Sequence, residues 1–224
     1  MKIVIIFIVL FPIFCFGQNQ GNIWYFGNNA GLDFNSGSPV VLNDGQTEFV
    51  GCPGCHSEGT SVISDSAGDL LFYCNGRTIW NRNHQIMLDG DSLLSNNSST
   101  QSSIILPLPG SSRYFYVFTT DDFYFNNLQY GFRYSIVDIC LDNGLGGVIK
   151  TEKNILLLDN VCEKLTAVRH ANGTDYWVIV HKFQSNAFYS FQLSSSGIIG
   201  KFLSSLLSVL TSLKISLQIL SSSE

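Results

Sequence analysis

A chain of 224 residues with a formal net charge of -5 and only 13% charged side chains lacks the basic footprint that a nucleic-acid partner requires, and it has no long acidic tract either. Solubility falls to Asn, Ser, Thr and Gly, since globular chains ordinarily carry about 25% charged residues. The length suffices for a sizeable core, domains commonly holding about 100 to 150 residues.

The first residues, MKIVIIFIVLFPIFCFGQ, place Lys2 before an apolar run from Ile3 to Phe16 and small Gly17 before Gln18. This three-part layout predicts a secretory leader, residues 1–17, cleaved after Gly17. A retained membrane helix needs about 20 apolar residues, and this run is shorter and broken by Pro12. Cys15 is preceded by Pro12, Ile13 and Phe14, a poor lipoprotein cleavage box, so it leaves with the leader. The remainder is expected to be secreted or held at the outer cell surface, and not membrane-spanning.

Asp33 to Gly37 (DFNSG) carries part of a calcium loop, but the later acidic ligands are missing. Asx turns explain Asp33 and Asn35 equally well. Next, Cys52, Cys55 and His56 form the Cys-x-x-Cys-His pattern of covalent haem attachment, in a chain whose export supplies the right compartment. Against haem, the surrounding Gly, Pro and Ser residues lead into a strand rather than a helix. A second axial ligand would come from Met87, His84, His170 or His181, candidates by residue type alone. Zinc wants four ligands, commonly two close pairs, and the chain has one close cysteine pair. The favoured reading is a disulfide clasp drawn from Cys52, Cys55 and Cys74, connectivity open, with no cofactor and no metal. With Cys140 and Cys162 the exported cysteines are odd in number, so one stays unpaired or pairs between molecules.

Strand formers then alternate with turn residues. Thr60 to Ser64, a turn DSAGD, Leu70 to Cys74 and Thr78 to Trp80 predict a meander. A looser copy follows at Ser103 to Leu108, Tyr114 to Thr119 and Phe132 to Ile139. A third spans Leu165 to Arg169, Tyr176 to His181 and Ala187 to Leu193. Irregular meanders some 40 to 60 residues apart suit the blades of a β-propeller, with a β-sandwich as the rival. One meander cannot bury both faces, whereas blades stacked radially cover each other. The 17 Phe and 9 Tyr residues are read as the filling between them.

The segments NIWYFGNNAGLDFNSGSPV, EGTSVISDSAGDLLFYCNGRTIWNRNHQIM, SSTQSSIILPLPGSSRYFYVFTT, FRYSIVDICLDNGLGGV and CEKLTAVRHANGTDYWVIVH resemble the amino-terminal propeller of large secreted, gliding-motility-associated surface proteins. Those proteins typically end in a type IX secretion sorting domain. The likeness covers about Asn22 to Gly200. It implies a quinoprotein- or YVTN-like propeller and a role in adhesion, motility or binding, without established catalytic residues. Asp65-Ser66-Ala67 and Asp91-Ser92-Leu93 are similar to the O-glycosylation acceptor of bacteria that use this secretion route, which singles out Ser66 and Ser92.

The departures are equally plain. From Lys201 the composition turns Ser- and Leu-rich, with leucines at helical spacing and LKISLQIL alternating like a strand. The expected organisation is a leader (1–17), an incomplete or small all-β propeller of four-stranded antiparallel meanders (18–200) and an atypical tail (201–224), the last read as a truncated or frameshifted end. About three blades and a stray strand would leave open sheet edges, which invite self-association.

For catalysis the chain has no Gly-x-Ser-x-Gly elbow. Glu58 with Asp65, Asp121 with Asp122, His170 with Asp175, and Arg82 with His84 are the pairs to consider. Asp121 and Asp122 are adjacent and so face opposite ways on a strand, and His170 and Asp175 bracket a hairpin turn. The resulting expectation is a non-catalytic binding or scaffold module whose partner is a surface protein or glycan. The alternative is a propeller-based hydrolase or lyase with its site at one end of the central channel.

Overall fold

The computed structural model describes residues 19–27, 29–47, 58–124 and 127–205. They form an all-β structure of four antiparallel sheets that follow one another along the chain. The first sheet contains β1 (Ile23–Phe26), β2 (Ala30–Asp33) and β3 (Val40–Leu42). The second contains β4 (Ser61–Ser64), β5 (Leu70–Cys74) and β6 (Ile79–Asn81). The third runs through β7 (Ser103–Pro107), β8 (Tyr114–Thr119) and β9 (Phe132–Asp138), and both β10 (Gly147–Val148) and β11 (Ile155–Leu158) pair with β9. The fourth is an uninterrupted meander of β12 (Val161–Arg169), β13 (Tyr176–Lys182), β14 (Ala187–Ser194) and β15 (Gly197–Ser205).

Local chemistry explains the turns. In the β4–β5 hairpin, Asp65 Oδ1 accepts the backbone N–H groups of Ala67, Gly68 and Asp69 at 2.8 to 3.0 Å. Gly68 takes a φ of 98°, open to glycine at no steric cost. Between β12 and β13 the His170 N–H donates to the Asp175 carbonyl (2.8 Å), while Asn172 Oδ1 collects the N–H groups of Thr174 and Asp175.

Side chains on successive strand positions go to opposite faces, and here each set of faces feeds a different core. Tyr25 of the first sheet packs with Tyr73 and Trp80 of the second. The other face of the second sheet, Phe72, Cys74 and Ile79, meets Ile105, Phe115, Val117 and Val137 of the third. The third sheet's remaining face, Leu106, Tyr116, Phe118 and Phe132, packs on Leu165, Val178, Val180 and Phe191 of the fourth. Ring pairs cross two of these layers: Tyr25 and Tyr73 at 4.8 Å between centroids, and Phe72 and Phe115 edge-on at 5.5 Å. Phe132 and Phe191 cross the last at 5.3 Å. Each such ring contributes roughly 1.5 to 3 kcal/mol by leaving water.

The sheets also meet through their first strands, β1 against β4, β4 against β7, and β7 against β12. Two sequence expectations change. Four sheets are present instead of three meanders and a stray strand, because β1, β2 and β3 form a sheet of their own. The boundary at Lys201 falls within β15, which extends through the change of composition to Ser205. The remainder of the Ser/Leu-rich tail and the leader lie outside the described residues. Among those described, no helix is long and apolar enough to cross a membrane.

Candidate functional site

Each joint between neighbouring first strands is fastened by a polar contact. Thr60 Oγ1 donates to the Tyr25 carbonyl at 2.7 Å, joining the first and second sheets. The Ser61 and Ser103 hydroxyls lie 2.7 Å apart across the second joint. At the third, the Gln101 N–H donates to the Glu163 carbonyl at 3.0 Å. The approach at the second joint is close enough to require glycine, since a Cβ on Gly59 would overlap the backbone nitrogen of Ser102. The Ser102 hydroxyl in turn donates to the Gly59 carbonyl.

Around these fasteners lies a cleft of about 290 Å³. Its wall is formed by Glu58, Gly59 and Thr60 ahead of β4, Thr100, Gln101, Ser103 and Ile104 around the start of β7, and Leu165 and Thr166 of β12. Hydroxyl, amide and carboxylate groups dominate the lining. Glu163 holds the rim in place: its Oε2 accepts the Thr100 N–H (3.1 Å) and hydroxyl (3.2 Å), and its Oε1 accepts the Phe123 N–H (2.9 Å).

A second depression, of about 410 Å³, opens on the far face of the fourth sheet, where Cys162, Ile179, His181 and Phe188 lie together. Cys162 Sγ is 3.3 Å from His181 Nδ1, and the His181 ring lies on Phe188 at 4.6 Å between centroids. Burial, then the adjacent Glu163 carboxylate, pushes the Cys162 thiol up, the opposite of the shift that activates a cysteine nucleophile.

A third polar cluster ties the outer ends of the first two sheets. The Gln46 N–H donates to Tyr73 Oη at 3.1 Å, and Tyr73 Oη lies 3.0 Å from His84 Nδ1. His84 Nε2 is 3.3 Å from Asp44 Oδ2, and Tyr25 Oη donates to Asp44 Oδ1 at 2.9 Å. Burial pushes both phenols above their ordinary value, and for Tyr25 the Asp44 hydrogen bond adds to it. Both therefore stay protonated and donate. The chain of donors then has one consistent direction, with Nδ1 of His84 accepting and Nε2–H donating to Asp44.

The sequence candidates scatter. Glu58 lines the cleft, but Asp65 caps the hairpin at the far end of β4. Arg82 and His84, another of the pairs considered, diverge after β6: Arg82 Nη2 reaches the Gly144 carbonyl, and His84 joins the Asp44 cluster. Asp121 and Asp122 are buried, with Asp121 accepting the Tyr130 N–H. Asn35 N–H donates to Asp33 Oδ1, an Asx turn. Met87 lies in the core between the second and third sheets, and His170 accepts the Asn172 N–H in its hairpin. Cys74 is a free, fully buried thiol whose Sγ accepts the Gly76 N–H, its pKa pushed up to about 11 by burial. Cys140 and Cys162 are free thiols as well. Cys52, Cys55 and His56 lie outside the described residues. Ser66 and Ser92 are both exposed on loops. Among the described residues no group of three or more His, Cys, Asp and Glu side chains is placed to hold a metal ion.

The cleft's lining was missed in the sequence because its three segments are some 40 and 60 residues apart. Comparison with protein-family models, curated proteins and solved structures returns no match to this chain.

Proposed function

We propose that the four sheets are blades of an open β-propeller-like arrangement, and that the chain is an exported, non-catalytic binding or scaffold module of the gliding-motility-associated surface kind. The observation that carries this reading is the run of contacts between successive first strands, β1 to β4 to β7 to β12, each fastened to the next, with a polar cleft where the last three meet. Blades stack in this serial way, and only their first strands approach the common axis. The lining of Thr, Ser and Gln side chains with a single carboxylate suits a neutral, hydroxyl-rich ligand, held by a few placed polar groups in a concave site. A surface glycan fits that chemistry.

The test is an NMR titration of the exported chain with neutral gluco- and xylo-oligosaccharides. Shifts confined to the amides of Thr60, Thr100, Gln101 and Thr166, weakened at least tenfold by Thr100→Val with Gln101→Ala, are the expected result. Saccharides that bind elsewhere, or that are cleaved during the titration, contradict it.

A further inference from the structure

Among the described residues, the second and third sheets are covered on both faces, but the first and fourth are covered on one. On the first sheet, Trp24, Phe26 and Val41 point away from the Tyr25 core and remain 52%, 42% and 67% exposed. Leu32 shares that face through its pairing with Trp24 and Val41. On the fourth sheet, Val168 and Phe202 are 50% and 51% exposed on the side opposite the Phe191 core. Trp177, paired with Val168, packs edge-on against Phe202 at 5.3 Å between centroids, and Ile179 completes the strip. Exposed apolar faces with aromatic centres mark interaction surfaces.

We infer that the partner for both faces is a second copy of this chain, giving a two-fold dimer in which the fourth sheet of each copy packs on the first sheet of the other. This rests on the blade reading above. Sidedness selects this occupant. Every joint inside the chain brings the trailing face of one sheet against the leading face of the next. The two uncovered faces are the leading face of the first sheet and the trailing face of the fourth. Joining them head to tail repeats the internal joint, with the same kind of aromatic and aliphatic side chains on each side. Two copies create two such joints at once and close a ring of eight sheets, the upper end of the usual range of about four to eight blades. A heterologous contact that closes in this way ends growth, whereas one that does not close gives filaments. The polar cleft near the axis stays open, while the Cys162–His181 depression on the fourth sheet's outer face becomes covered.

Sedimentation velocity on the exported chain tests this, with Trp24→Glu and Val168→Glu as variants. Both positions are about half exposed, so the fold is expected to survive, as far-UV circular dichroism and the methyl NMR spectrum can verify. A wild-type dimer is expected. Each variant alone should weaken association at least tenfold, and an equimolar mixture should recover part of it, because one of its two joints is then wild-type on both sides. A monomeric wild type, a filament, or a dimer broken by Val168→Glu but untouched by Trp24→Glu overturns the inference. A monomer that keeps the Phe72–Phe115 ring contact defeats only the dimer. Loss of that contact defeats the blade reading itself.

Discussion

At Tyr73 one hydroxyl takes part in two polar contacts while its ring makes two more. Its ring packs between Tyr25 and Trp80, and its oxygen accepts from Gln46 while lying 3.0 Å from His84. Replacing it with Phe keeps the ring and strands the Gln46 N–H and the acceptor nitrogen of His84. Both contacts are only partly buried, so the loss falls at the lower end of the roughly 1 to 3 kcal/mol that a fully buried unpaired group costs. Tyr73→Phe is therefore expected to lower the unfolding free energy by about 1 kcal/mol, read in chemical unfolding as a lower denaturant midpoint at an unchanged slope. An unchanged midpoint means that the hydroxyl is not part of the network. None of this cluster was legible in the sequence. Its members, Tyr25, Asp44, Tyr73 and His84, come from two sheets and the loops that follow them, and His84 was considered only as a candidate haem ligand and as a partner of Arg82.

At the scale of the element, β8 and β9 are held in register by more than their ladder. Arg113, just before β8, donates from Nε (2.8 Å) and Nη2 (2.6 Å) to both carboxylate oxygens of Asp138 at the end of β9, and the Cys140 N–H adds a third bond. The Arg113 hydrogen bonds, opposed by burial and aided by Cys140, hold the Asp138 carboxyl below its ordinary 3.8. A carboxyl with a depressed folded pKa contributes stability that is complete above its unfolded value and is lost as pH falls through the folded one. Stability measured by thermal unfolding should thus decline below about pH 3.8. Asp138→Asn should flatten that part of the acid limb and cost about 2 kcal/mol at neutral pH, since hydrogen bonds to charged groups contribute roughly 1.5 to 3 kcal/mol. An acid limb that the substitution leaves unaltered contradicts the assignment.

Strand content was legible where both faces of a strand are buried. LLFYC and YFYVFT carry near-continuous apolar runs bounded by turn residues, and β5 and β8 begin and end where those runs do. The first sheet was harder to see as a unit. Its strands are only three or four residues long, and β3 is VVL with both valines exposed. β12 starts four residues earlier than its alternating pattern, since a register irregularity between Val161 and Leu165 breaks the period. β15 was hidden by the shift to Ser and Leu around Lys201.

Across the whole molecule, the order of sheets along the chain is also their order in space, with three aromatic layers between four sheets. That serial arrangement underlies both the proposed binding cleft and the proposed head-to-tail dimer, because it sets successive first strands side by side and leaves two apolar end faces. A sandwich of the same strands would pair sheets in two layers and merge the three cores into one. The deciding measurement is a nuclear Overhauser spectrum of Phe- and Tyr-labelled protein. Ring-to-ring contacts are expected between Tyr25 and Tyr73, Phe72 and Phe115, and Phe132 and Phe191, with none linking the first sheet to the third. Contacts joining Phe72 to Phe191, or Tyr25 to Phe132, would place the sheets in two facing layers and contradict the serial stack.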